Sequence, residues 1–173
     1  MGLMILSRWF NSTQSDRSKM AGKKGAGTEI GFKAEAWFLS LLNKKGIPYH
    51  YYDTWYDVEV MGYKVEIKSC RYSIKGEVLK DGTQYYRPGR FDFTDKDNRE
   101  KQYNQNVWVA FILRNYEDFL LIGLGKARQF KKRRYIKAHQ LRQHKIIRFE
   151  EWIDWLMKQK EKDGNKKNNN PRT

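Results

Sequence analysis

Asp57-Val-Glu-Val-Met-Gly-Tyr-Lys-Val-Glu66-Ile-Lys68 is the stretch that decides the fold. Apolar and polar residues alternate on either side of Met61-Gly62, the pattern of two strands folding back across a two-residue turn. Closed there, the hairpin sets Val60 opposite Tyr63, Glu59 opposite Lys64, Val58 opposite Val65 and Asp57 opposite Glu66. Strand side chains alternate between faces, so Asp57, Glu66 and Lys68 share one face while Val58, Val60, Val65 and Ile67 line the other. Directly opposed residues hold their Cβ atoms ~5 Å apart. Two carboxylates that close repel unless a cation lies between them, and a divalent metal ion is the usual solution. The competing reading is a solvated strand edge, because charged residues make up 32% of the chain. Against it, Glu66-Ile67-Lys68 is the only Asp/Glu-x-Lys triplet in the 173 residues.

Composition narrows the partners. A net charge of +15 draws the protein to polyanions, which in a cell are nucleic acids or anionic membrane surfaces. With 39% hydrophobic and 15% aromatic residues it is a folded body and not a basic tail, and its length suits one domain. The single cysteine, Cys70, excludes an internal disulfide and suits a reducing compartment; it reads as a small strand filler, with no histidine nearby in sequence. No apolar run is long enough for a signal peptide or a membrane span, so the expected location is the cytoplasm. His50, His139 and His144 lack metal-ligand spacing, which argues against a zinc site, and no Gly-x-x-x-x-Gly-Lys loop implies a need for ATP.

Along the chain, residues 1–26 lack periodicity and read as a mobile basic arm, with Met20 as an alternative start. Thr28 is the expected N-cap of a helix whose Ile30, Ala34, Trp37, Phe38, Leu41 and Leu42 fall at helical spacing, and Gly46 closes it. Glu35 lies beside that stripe, where an ordinary surface role is as good a reading as a functional one; Gly31, one turn earlier, permits close approach of another element. An approach strand follows, containing Asp53 as the rival to Asp57, then the hairpin. Tyr72–Leu79 is an expected strand, Lys80-Asp81-Gly82 a turn, Arg90–Thr94 a segment after a Pro88-Gly89 break, and 95–106 a polar helix with Thr94 as its cap. Val107–Leu113 is a continuous apolar run, expected to be a strand buried on both faces, with Asp118–Leu124 as its hairpin partner. From Lys126 to Arg148 there are ten Lys or Arg and no acid, a concentration that phosphate contact would relieve, interleaved with Phe130 and Tyr135. Phe149, Trp152, Ile153 and Leu156 stripe an amphipathic helix over 149–162, and 163–173 reads as a disordered tail.

A helix bearing Glu35, then Asp57, then Glu66-x-Lys68 on the next strand resembles the PD-(D/E)XK nuclease superfamily, particularly its archaeal Holliday junction resolvase-like members. Gly31-Phe-Lys-Ala-Glu35 resembles the Gly-x-x-x-Glu of their first helix, and Val65-Glu-Ile-Lys-Ser69 their core strand. Arg90-Phe-Asp-Phe-Thr94 with the following polar helix and Trp108-Val-Ala-Phe-Ile is similar to a segment of archaeal and viral nuclease-like proteins. The likeness covers roughly residues 27–125; Tyr56 stands where a proline is customary, and the 71–94 segment is atypical. The resemblance implies an α/β fold of the restriction-endonuclease type, with a central mixed sheet of four to five strands flanked by helices and a nuclease domain over 27–162. It implies Mg²⁺, with Mn²⁺ as a substitute, bound by Asp57, Glu66 and the Ile67 carbonyl, with Glu35 as a direct or water-mediated ligand. Lys68 would act on the attacking water or an equatorial phosphate oxygen. The implied substrate is double-stranded or branched DNA, contacted by Arg90, Lys126, Arg128, Lys131, Lys132, Arg133, Arg134 and Lys137, and the implied assembly is a homodimer, for which Trp152 and Trp155 on the last helix read as exposed.

A structure-selective endonuclease is therefore the expected function. A sequence-specific restriction or homing type nuclease on the same core, favoured by the 71–94 segment, stays open, as does a non-catalytic basic protein in which acids and lysine merely pair. Membrane-surface binding fits least, because the last helix mixes acids and lysines on its polar face.

Overall fold

The computed structural model describes residues 26–52, 54–93, 96–115 and 118–168. The expectations for the N-terminal arm, Met20, Asp53, Thr94 and the last five residues lie outside these. The hairpin forms as its alternation requires: β2 (Val58–Val60) and β3 (Tyr63–Arg71) pair antiparallel, with Val58 opposite Val65, Glu59 opposite Lys64 and Val60 opposite Tyr63. Met61 (φ 51°) and Gly62 (φ 86°) both occupy the left-handed region, which makes the turn type I′. Gly62→Ala is expected to lower stability by about 1–2 kcal/mol, because a side chain at that φ meets its own carbonyl. Chemical denaturation reads this as a reduced midpoint at unchanged slope.

Outward from the hairpin, β1 (Tyr49–Tyr51) pairs with β2. β7 (Trp108–Asn115), buried from Trp108 to Ile112, lies parallel to β3, and β8 (Asp118–Lys126) returns antiparallel to β7. The two-residue β10 (Ile146–Ile147) finishes the edge, giving the order β1-β2-β3-β7-β8-β10. The chain is thus α/β with a mixed central sheet. Six strands are present where four or five were expected; β1 is the expected approach strand, and the unforeseen one is β10, whose two residues are too few to leave a periodic signal in sequence.

Alternation along β3 and β7 divides the core. Val58, Val60, Val65, Ile67, Trp108, Ala110 and Ile112 face α1 (Ala26–Lys44), and Phe149, Trp152 and Leu156 of a C-terminal helix described below join the same cluster. Cys70, Val107, Val109 and Phe111 face the opposite way, against Phe91, Phe93, Tyr103 and Phe130. Glu66 and Lys68 belong to that second face, in register with Val109 and Phe111. The helix α1 ends as Gly46 forecasts: its N–H donates to Asn43 O (3.0 Å) and Ile47 N–H to Leu42 O (3.0 Å), a Schellman closure with Gly46 at φ 65°. It starts at Ala26, before the expected cap Thr28, since alanine and the residues after it sustain a helix once the packed turns have nucleated one.

The 71–94 segment becomes a ribbon of its own. β4 (Ser73–Val78) pairs with β5 (Gln84–Pro88) around the expected turn at Lys80-Asp81-Gly82. Gly89 seats its root, for a Cβ there would lie 1.7 Å from the Arg71 carbonyl oxygen. β6 (Arg90–Asp92) then pairs with β9 (Tyr135–Lys137), and α2 (Lys96–Asn104) crosses to β7.

The last helix, α3 (Phe149–Asn168), runs past the end expected at 162. Its lysines and glutamates favour helix, and one glycine, costing about 1 kcal/mol against alanine, does not stop it. Trp152 is fully buried, and Trp155 packs edge-on against Trp108 (5.2 Å) and Tyr63 (4.9 Å). The tryptophans expected to be exposed at a dimer interface are therefore spent on the protein's own core. Among the described residues no helix is long and apolar enough to cross a membrane.

Candidate active site

Asp57 leads into β2, and its carboxylate Oδ2 accepts the Ile67 N–H (2.5 Å), tying the start of one hairpin strand to the middle of the other. Glu66, nearly buried on β3, accepts from Lys68 Nζ at 2.6 Å. All three side chains open into one cleft of about 100 Å³, lined also by Thr54, Trp55, Phe93, Asn98, Arg99 and Gln102. The strand ladder begins at Val58 opposite Val65, so the expected Asp57–Glu66 pair lies just outside it, and Asp57 N–H donates to Val65 O (3.1 Å).

Glu35 does not line this cleft. It reaches toward it from α1, held by the Tyr51 hydroxyl, which donates to Oε2 at 3.0 Å; Tyr51 in turn pairs with Val58, next to Asp57. Among the described residues no other element approaches Gly31: the nearest atom to a Cβ there is the helix's own Glu35 Oε1, at 4.0 Å.

The electrostatics are those of a crowded anion site. Asp57 keeps some exposure through the cleft mouth, yet desolvation first, and then the charges of Glu66 and Glu35, push its carboxyl well above the ordinary range. The Ile67 N–H and Lys68 oppose that shift without overcoming it. Neither counterweight is a dication, and a small, hard ion is what such oxygen donors suit. Among the described residues no three His, Cys, Asp or Glu side chains converge on one point; of the acids acting on Asp57, Glu66 acts more strongly than Glu35. Cys70 is buried, and burial followed by the nearby Asp92 pushes its thiol up to about 12, as befits a strand filler.

Six residues of the cleft wall went unread as site residues, three of them on one helix. Asn98, Arg99 and Gln102 come from α2, where Gln102 Nε2 donates to Trp55 O (2.8 Å) and Arg99 to Phe93 O (2.9 Å). Their signal was a polar i, i+1, i+4 set on a helix with no apolar stripe of its own, which must turn a polar face to something.

The basic run divides. Lys131, Lys132, Arg133 and Arg134 are exposed, and the Arg134 carbonyl accepts from Phe93 N–H (2.8 Å), so this loop adjoins the cleft wall. Together with Arg128, Gln129 and His144, the first three line an open depression of about 600 Å³. His144 is held below its ordinary value by burial and by Arg133, so lysine and arginine supply the charge there. Arg90 stacks on Tyr135 (4.9 Å) and pairs with Asp92, beside Lys137 on β9. Two of the residues expected to meet phosphate also have partners within the protein: Lys126 lies over the Trp108 ring (4.0 Å), and burial lowers it to about 8. Arg128 bonds the Tyr103 and Asn104 carbonyls (3.1 and 3.0 Å).

No protein-family model, curated protein or solved structure matches this chain.

Proposed function

We propose that the protein is a Mg²⁺-dependent DNA endonuclease with a restriction-endonuclease-like core, and that Asp57, Glu66 and Lys68 carry its chemistry. The observation that bears this reading is the opening of those three side chains into one cleft beside an exposed basic loop. Asp57 and Glu66 would hold the ion with the Ile67 carbonyl, and Glu35 would act from α1 through the Tyr51 contact. When bound, the ion supplies a hydroxide source near neutral pH and offsets negative charge on the phosphate.

The chain's own residues do the rest. Lys68, paired with Glu66 in the cleft, would donate to a phosphate oxygen as that oxygen gains charge, and a compact ammonium suits the short range. Arg99 and Asn98 on α2 face the same space and would orient the phosphate, while Phe93 and Trp55 narrow the entrance and limit water. Lys131 to Arg134 and Arg90 would hold the flanking backbone, and strong salt dependence of binding follows from that.

A second reading, a basic nucleic-acid-binding protein without catalysis, draws on the Lys68–Glu66 ion pair, in which lysine and acid already satisfy one another. Labelled duplex, four-way junction, flap and single-stranded DNA, each incubated with Mg²⁺ or with EDTA, separate the two. Cutting in Mg²⁺ alone is expected, with Mn²⁺ substituting. Binding indifferent to EDTA with no nicks on any substrate would reject the nuclease.

A further inference from the structure

The β4–β5 ribbon has no assigned role, and its surface is unusual. It runs on from the strand that carries Glu66 and Lys68, and projects roughly 20 Å at strand rise. Both of its faces are open: Tyr72 is 66% exposed, Tyr85 50%, Tyr86 58% and Val78 62%. An isolated two-stranded ribbon is marginal in water, and one that leaves large apolar groups uncovered has a partner surface to meet. Its charge says which kind, since Arg71, Lys75, Lys80, Arg87 and Arg90 outnumber Glu77 and Asp81.

The register distributes these groups evenly. Lys75 pairs with Tyr86 on one face, and Arg87, opposite Ile74, shares the other face with Tyr85, whose ring lies across Gly76. Each face therefore offers one cation and one tyrosine. A stacking platform for a single strand needs only one such face, whereas an element lying between two phosphate walls needs both. The root is stiff, because Gly89 presses against Arg71 and its N–H donates to Tyr72 O (3.2 Å), while Tyr72 N–H donates to Arg114 O (2.9 Å) on β7. The turn at the tip is held by Thr83 N–H donating to the Asp81 carboxylate (2.9 Å).

We infer that the ribbon enters the major groove of duplex DNA next to the phosphate held in the cleft, an assignment that rests on the nuclease reading. The major groove accepts a two-stranded ribbon, and the tyrosines and cations then meet base edges and both backbones. The test is fluorescence anisotropy in EDTA on a labelled duplex and on one of its strands alone, with wild type and the double variant Tyr86→Ala, Arg87→Ala. Both side chains are exposed, so the melting temperature should hold. Duplex affinity is expected to fall about tenfold or more, with single-strand affinity changed less than about threefold. Protection of guanine N7 from dimethyl sulfate is expected with wild type and should vanish in the variant. Unchanged duplex affinity, or an equal loss on duplex and single strand, would overturn the inference. The two readings fail separately: ribbon-dependent protection without cutting in Mg²⁺ removes the nuclease and keeps the ribbon, and cutting with ribbon-independent binding does the reverse.

Discussion

Lys68→Ala is expected to cut DNA about a hundred- to a thousand-fold more slowly than wild type in saturating Mg²⁺, the loss typical when one preorganised charge donor is removed from a reacting oxygen. The variant has a second effect that must be separated from the first. Lys68 is also the 2.6 Å partner of the nearly buried Glu66, and without it that carboxylate faces Asp57 unopposed. In EDTA the variant should therefore melt lower, by roughly 2–4 °C for each kcal/mol of lost pairing in a chain of this size. Mg²⁺ should restore the melting temperature, since the ion supplies the missing positive charge, yet leave cleavage low. Lys68→Arg keeps the charge but presents a planar fork, so it should keep stability and recover cleavage only in part. If Mg²⁺-saturated Lys68→Ala cuts like wild type, Lys68 is a pairing residue and nothing more.

How far such a site can be read from sequence depends on how local its contacts are. The β2–β3 hairpin was legible because alternation and a Met-Gly corner act over a dozen residues, and Glu66, Lys68 and Asp57 just before β2 line one cleft. The buried strand β7 was legible as an unbroken apolar run, since a strand covered on both faces has no polar side. That β7 lies parallel to β3 was not, because nothing in either strand names its distant neighbour. The same limit hid the α2 wall of the cleft and the bond from Tyr51 to Glu35, sixteen residues away. Trp155 was misjudged for another reason: it looks like a surface group on a polar helix, but an indole packs against aromatic neighbours and a lysine ammonium as readily as it meets solvent.

Asp57→Asn should abolish metal-dependent cleavage, a loss of at least a hundredfold, and at the same time make the metal-free protein more stable at neutral and alkaline pH. The second result follows from the direction of the Asp57 shift. Its folded carboxyl holds a proton to higher pH than the unfolded one, because of desolvation and of Glu66 and Glu35. Between those two values the folded state binds more protons, so stability falls as pH rises and stays reduced above the folded value. An amide has no charge to desolvate and still offers an oxygen to the Ile67 N–H, which removes the repulsion and keeps the tie between the strands. Melting in EDTA at stepped pH should give matching curves near pH 4, where the wild-type carboxyl is protonated, and a gap of several degrees favouring Asp57→Asn by pH 8. Mg²⁺ should close that gap by raising wild type alone, since the ion binds the folded carboxylate and has no such partner in the amide. Equal Mg²⁺ stabilisation of both proteins would mean that the ion sits elsewhere. A gap that persisted at pH 4 would mean that the amide acts through packing and not through charge, and the crowding of acids around Asp57 would then no longer argue for a metal.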